Sequence, residues 1–290
     1  MPTEDSRPTA FPWSFVILTY ALSWSTWLLG WYALGQPDEM RGASAIVPVI
    51  FAGSFGPGLA AAILTARQGW GPLKQWLGSF IRFRCGYRAY VAAFLPFPLA
   101  VVLLTVLFGY EPIIDQGGGH PAAAFYLTIF PMAIVNGLAT VLMGAGPLGE
   151  EGGWRGYMLP WLLEKFGEMP ASLIVGVVWA LWHLPVMAMF TDWRGGMDFW
   201  TYLPLYVGSV IALSFLMTRI WAIGRGSLVP VIWLHGIINA IGSLAFEKNV
   251  WASGWSEEFG IVLFMVAAMI AWLVLTRTKP ELIASTYTRE

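Results

Sequence analysis

Eight long stretches of this chain are apolar and almost free of charge, and that pattern limits the possible folds more than any other feature. They run over approximately 11–34, 44–66, 89–108, 124–145, 171–190, 200–222, 228–247 and 259–276, each near the roughly 20 residues that carry a helix across a bilayer. Backbone polar groups find no water in lipid, so stretches of this length satisfy them internally, as helices rather than strands. Only 11% of the 290 residues are charged and 57% are hydrophobic; a soluble domain carries about a quarter charged residues. The expectation is an all-α, polytopic membrane protein with about eight transmembrane helices, one domain over 1–290.

The net charge of −1 says little, but its placement says more. Arg67, Lys74, Arg82, Arg84 and Arg88 crowd one connection, Arg219 and Arg225 flank another, and Arg277, Lys279 and Arg289 follow the last span. The connection at 109–123 holds Glu111 and Asp115 with no Lys or Arg. Basic residues accumulate on the cytoplasmic side, which predicts cytoplasmic termini and cytoplasmic connections at 67–88, 146–170 and 223–227. The basic run at 67–88 is short and membrane-adjacent, and reads as a topology determinant touching anionic lipid, not as a nucleic-acid site. The first apolar stretch exceeds a signal-peptide core and has no convincing cleavage site, so a retained first helix is expected. No organelle signal is read, and the expectation is a prokaryotic cell membrane. Cys85 is the single cysteine, which excludes an intrachain disulfide and a Cys-based metal site.

Proline and glycine interrupt several spans, at Gly56-Pro57-Gly58, Pro96, Pro98, Pro185 and Pro204. Kinks are expected there, with the freed carbonyls satisfied by neighbouring helices. No internal repeat of the kind that marks many transporters is present. The segment 146–170 is too short and too polar to cross, and reads as an interfacial or partly re-entrant helix on the cytoplasmic side.

That segment opens the chemistry. Glu150 and Glu151 are adjacent, so on a helix they point about 100° apart and serve different purposes. Arg155 follows Glu151 by four residues, the spacing at which side chains meet on one helical face; the pair reads as a clamp that leaves Glu150 free to polarise a water. His183 lies in an apolar span one turn after Trp179 and two residues before Pro185. His235 and Asn239, four apart, share one face of a later span, where they could donate to one oxygen, bind a metal, or join helices. Ionisable groups at membrane depth are costly and mark a functional site by default. One cavity open to the cytoplasm is expected to hold these groups.

The ordered set Glu150-Glu151-x-x-x-Arg155, Trp179-x-x-x-His183 and His235-x-x-x-Asn239, with Phe55-Gly56-Pro57 and His183-Leu184-Pro185, resembles the CPBP (Abi) family of intramembrane proteases, which includes the type II CAAX prenyl endopeptidases. The motif-bearing region spans about 124–247. The resemblance implies a CAAX-type intramembrane endopeptidase acting at the cytoplasmic face on a membrane-associated peptide or prenylated protein. It further implies Glu150 and His183 activating water, His235 and Asn239 stabilising the oxyanion, and Glu151 and Arg155 holding the segment, with Trp179 lining the site where the family usually has Phe. A metal-dependent version would use Glu150, His183 and His235 as ligands to zinc or another divalent ion. Asn is a poor zinc ligand and no His-Glu-x-x-His pattern is present, which favours a mechanism with no metal cofactor. Two other classes fit the same residues: a transporter burying polar groups along an aqueous path, and a non-catalytic membrane protein of the bacteriocin-immunity kind.

Overall fold

Proline placement sets where the helices of this protein begin and break. The computed structural model describes residues 11–40, 45–108, 131–246 except 132, 136, 140 and 142–145, and 257–278. The described residues contain helices and turns and no strand. In chain order the helices are α1 (Trp13–Ala33), α2 (Ile46–Ser54), α3 (Gly56–Arg67), α4 (Trp70–Ser79), α5 (Tyr87–Phe94) and α6 (Pro96–Phe108). There follow α7 (Pro147–Gly153), a π turn at Trp154–Met158, α8 (Leu159–Phe166), α9 (Glu168–Trp182), α10 (Leu184–Met189), α11 (Phe199–Ile223), α12 (Val229–Phe246) and α13 (Glu257–Thr278).

Two of these stretches are long and apolar enough to cross a bilayer unaided, Ile46–Arg67 and Phe199–Ile223. Three stretches that read as single spans in the sequence are divided, the first of them between α2 and α3 at Phe55, before Pro57. The stretch 89–108 breaks at Leu95 before Pro96, and 171–190 breaks at His183 before Pro185. The predicted span 124–145 lies mostly outside the described residues, as do residues 1–10 and 279–290 at the two ends. By contrast α11 runs through Pro204, and Asp198 caps it by accepting from the N–H groups of Trp200 and Thr201, both at 3.0 Å.

The expected rescue of freed carbonyls is visible at the α2–α3 break. Pro57 has no N–H for the carbonyl of Gly53, four residues back, and Ser23 Oγ from α1 donates to that oxygen at 2.8 Å. Packing runs α1 against α2 and α3, α3 against α7, α9 against α11, and α11 against α13. Exposed apolar side chains line the outer faces of α1 (Ile17, Leu28, Leu29) and α13 (Val266, Ile270, Leu273, Val274). A face of that size suits lipid better than water.

The connections predicted to share the cytoplasmic side lie together. Arg82 Nη1 donates to the Arg225 carbonyl at 2.9 Å, Ser227 Oγ donates to the Arg82 carbonyl at 2.9 Å, and the Leu228 N–H donates to Ser79 O at 3.0 Å. Glu168 pairs with Arg219 at 2.9 Å. Elsewhere, Thr191 N–H donates to Asp38 O at 2.9 Å and Met40 N–H to Asp192 Oδ1 at 2.9 Å. Cys85 is a buried free thiol.

Candidate active site

Glycines bring the first motif against the second apolar stretch. A Cβ at Gly153 would lie 2.4 Å from Pro57 Cβ, one at Gly149 would lie 2.7 Å from Phe55 Cα, and one at Gly58 would lie 2.7 Å from Gly149 O. Backbone therefore meets backbone where α3 crosses α7, and the Gly-Pro-Gly and Gly-Glu-Glu-Gly-Gly sequences are the two sides of one contact. Trp76 of α4 closes a further side, its Nε1 donating to Gly152 O at 2.9 Å. As a result Glu150, Glu151 and Arg155 are buried, with 4%, 0% and 0% exposure.

After Gly153 the helix widens into the π turn, which carries Arg155; such insertions recur at functional sites. The (i, i+4) spacing still brings Arg155 Nη1 to 3.0 Å from Glu151 Oε1. The same oxygen accepts from His235 Nδ1 at 2.9 Å. Glu151 is thus a shared acceptor between the π turn and α12, a partner for His235 that local spacing gave no sign of. Glu151 Oε2 and Arg155 Nε and Nη2 are buried without hydrogen-bond partners among the described residues. The Arg155 guanidinium instead lies over the Trp179 ring, 4.3 Å from its centroid, a favourable contact when desolvated.

His183 owes its setting to Pro185. With the ladder broken, the last turn of α9 tightens, and the His183 N–H bonds Ala180 O at 3.1 Å. Trp179 O, left without its usual helical donor, takes the His183 ring: Nδ1 lies 3.0 Å away. Because a carbonyl only accepts, Nδ1 carries the proton there and the neutral ring keeps its lone pair on Nε2. Trp24 of α1 satisfies the other loose carbonyl, its Nε1 donating to Trp182 O at 2.8 Å. Trp182, Tyr206 and Trp193 surround the imidazole, with centroids 4.7, 5.4 and 6.0 Å away. None of the three was singled out in the sequence, since 17 Trp and 10 Tyr give no hint which ones converge.

Trp179 is where the pieces meet. Its Nε1 donates to Glu150 Oε2 at 2.7 Å, its carbonyl holds His183, its ring carries Arg155, and the His235 ring approaches at 5.2 Å in a near-perpendicular arrangement. The structure therefore gathers Glu150, Glu151, Arg155, Trp179, His183 and His235 around one indole. Asn239 stands one turn beyond His235 at an exposed position, and no hydrogen bond joins it to this cluster among the described residues. Burial pushes the Glu150 carboxyl above the usual carboxylate range, opposed by His235 and by the indole N–H. A zinc centre needs three or four converging ligands. Among the described residues no three His, Cys, Asp or Glu side chains are grouped to hold a metal ion.

Residues 130–241, which include every one of these positions, match the type II CAAX prenyl endopeptidase Rce1-like family. The chain is also similar to the CAAX prenyl protease 2 of Methanococcus maripaludis, 23% identical over 269 residues, covering 89% of this chain and 92% of that protein.

Proposed function

We propose that this chain, a CAAX-type peptidase and an intramembrane endopeptidase, cuts its substrate by a water attack in which Glu150 is the general base. The observation that carries the reading is the convergence of Glu150, His183 and His235 on Trp179. Glu150 takes a proton from the water as its oxygen attacks the peptide carbonyl carbon, and His183 Nε2 helps hold that water. The carbonyl oxygen becomes an oxyanion, stabilised by Asn239, whose exposed position a bound substrate covers, and by His235 with its ring doubly protonated, Nδ1–H staying on Glu151 while Nε2–H turns to the oxyanion. Glu150 then returns its proton to the leaving nitrogen as the carbon–nitrogen bond breaks, giving a carboxylic acid and an amine.

Each assignment has a physical support. A base works best when its pKa is brought toward working pH, and burial moves a carboxyl in that direction. Donors fixed in a low-dielectric site stabilise developing charge by several kcal/mol. Glu151 holds His235 by Nδ1, so Nε2 is the ring atom left for the oxyanion, while Arg155 balances the buried carboxylate. No step uses a metal. The substrate is a membrane-associated peptide or prenylated protein reaching the site from the cytoplasmic face, in a multi-pass prokaryotic membrane protein of about eight spans.

The test is cleavage of a farnesylated and an unmodified peptide ending in the CAAX pattern, in detergent, by the parent, Glu150→Gln and His183→Ala. Both variants are expected to lose about 10³-fold or more in kcat, the scale of removing a group that acts in the chemical step, with folding retained by thermal melt. Parental turnover in both sinks the mechanism. Full activity with a chelator present supports the metal-free version, and activity lost to the chelator and restored by zinc removes it.

A further inference from the structure

We propose that the Trp179 indole N–H is a positioning group for Glu150, holding the carboxylate by Oε2 so that Oε1 is the oxygen offered to the water. This deepens, and rests on, the reading of Glu150 as the base.

The bond is 2.7 Å long, between side chains of residues only 4% and 2% exposed. Water does not compete for it, and a hydrogen bond to an ionised acceptor is among the stronger kinds. Trp179 is the one hydrogen-bond donor to the Glu150 side chain among the described residues; the other charged or titratable neighbours act on it through space, Glu151 and Arg155 from its own segment, His235 from α12 and Tyr206 from α11. The second oxygen lies against Gly146, where a Cβ would come within 2.6 Å of Oε1. Gly146 has φ +54°, in the left-handed region that favours glycine. One oxygen is therefore fixed by a donor, and the other faces a place kept clear by a missing side chain.

The indole cannot swing to follow the carboxylate. The Arg155 guanidinium covers its face, the His235 ring meets it at a steep angle, and His183 Nδ1 ties the Trp179 carbonyl. The direction of Nε1–H is thus set by two contacts on the ring, with the backbone beneath it tied by His183, and Glu150 conforms to it. A phenyl ring at 179 would keep the stacking surface and lose this function, so size and aromaticity alone do not replace tryptophan here.

The decisive substitution removes the N–H and nothing else. Trp179 is replaced by benzothienylalanine, in which sulfur stands for the N–H, and separately by phenylalanine (Trp179→Phe), with Glu150→Gln as the parallel control. Cleavage of a CAAX peptide is measured in detergent, with melting curves. Expected is a fall in kcat of about 10- to 100-fold for both replacements, the cost of a misdirected reacting group, with KM unchanged and the benzothienyl protein melting with the parent. Parental kcat in the benzothienyl protein, or a raised KM with kcat intact, overturns the inference while an inactive Glu150→Gln keeps the base. An active Glu150→Gln overturns the base and this inference together.

Discussion

Replacing Gly153 with alanine places a methyl group 2.4 Å from Pro57 Cβ and 2.6 and 2.7 Å from the Pro57 carbonyl carbon and oxygen. Ordinary van der Waals contact begins at 3.4 Å, so α7 and α3 must part by about 1 Å, because close-packed interiors have no slack to absorb the overlap. Nothing at Pro57 can rotate aside, since the contacts are ring and backbone. Overpacking of this kind costs about 1–3 kcal/mol of stability, partly offset by the roughly 1 kcal/mol by which alanine favours a helix over glycine. The larger effect falls on turnover. Glu150 lies one turn upstream on the displaced helix, and a misplacement of about 1 Å costs on the order of 100-fold in rate, or about 2.7 kcal/mol of transition-state stabilisation. The assay is kcat/KM for peptide cleavage in detergent beside a thermal melt. Gly78→Ala on α4 serves as control, since a Cβ there meets nothing within 4 Å. A Gly153→Ala protein within about threefold of parental kcat/KM refutes the claim that backbone contact at α3 sets the position of Glu150.

Arg155→Ala leaves the fully buried Glu151 with His235 as its one partner among the described residues, and breaking a buried pair costs about 3–5 kcal/mol; a melting temperature equal to the parent's would show that Arg155 carries no such burden. Burial raises the Glu150 carboxyl above the ordinary range, so as pH falls the base is protonated early, and the acid limb of kcat/KM is expected above the roughly 4.3 of an unperturbed glutamate. The same shift acts oppositely on folding: its contribution is present below the unfolded-state pKa and is lost as pH rises through the folded one. An acid limb at or below the unperturbed value contradicts both statements. Ser23→Ala removes one of two donors to the Gly53 carbonyl, which also accepts a backbone N–H at the end of α2, and is expected to lower stability by about 0.5–1.5 kcal/mol in denaturation curves, with kcat little changed.

Much of this protein was legible from spacing and punctuation. The helical class followed from the apolar stretches, the Glu151–Arg155 contact from an interval of four, and the need for outside donors near the proline breaks from the prolines themselves. What sequence could not supply were partners brought together by tertiary packing. His235 meets Glu151 across 84 positions and Trp179 meets Glu150 across 29, and no local period encodes either. Pairing His235 with Asn239 by their shared face was sound helical geometry, yet the polar atom His235 bonds belongs to another helix. The glycines around Glu150 permit backbone contact with the second apolar stretch, a role their spacing alone does not reveal. Prolines also explain why three stretches counted as single spans are each built from two shorter helices.

The crossing of α3 and α7 has a consequence for what can be cut. A carboxylate carried on a helix seated directly on another helix's backbone has little freedom to reach for a distant bond, so the adjustment falls to the substrate. A peptide that arrives helical keeps its carbonyls engaged in its own ladder and turned along its axis. Segments that unwind readily near the scissile bond, through glycine, proline or a nearby free end, are the ones able to present a carbonyl to a fixed base. Selectivity would then follow how easily a sequence surrenders its secondary structure as well as which side chains it bears.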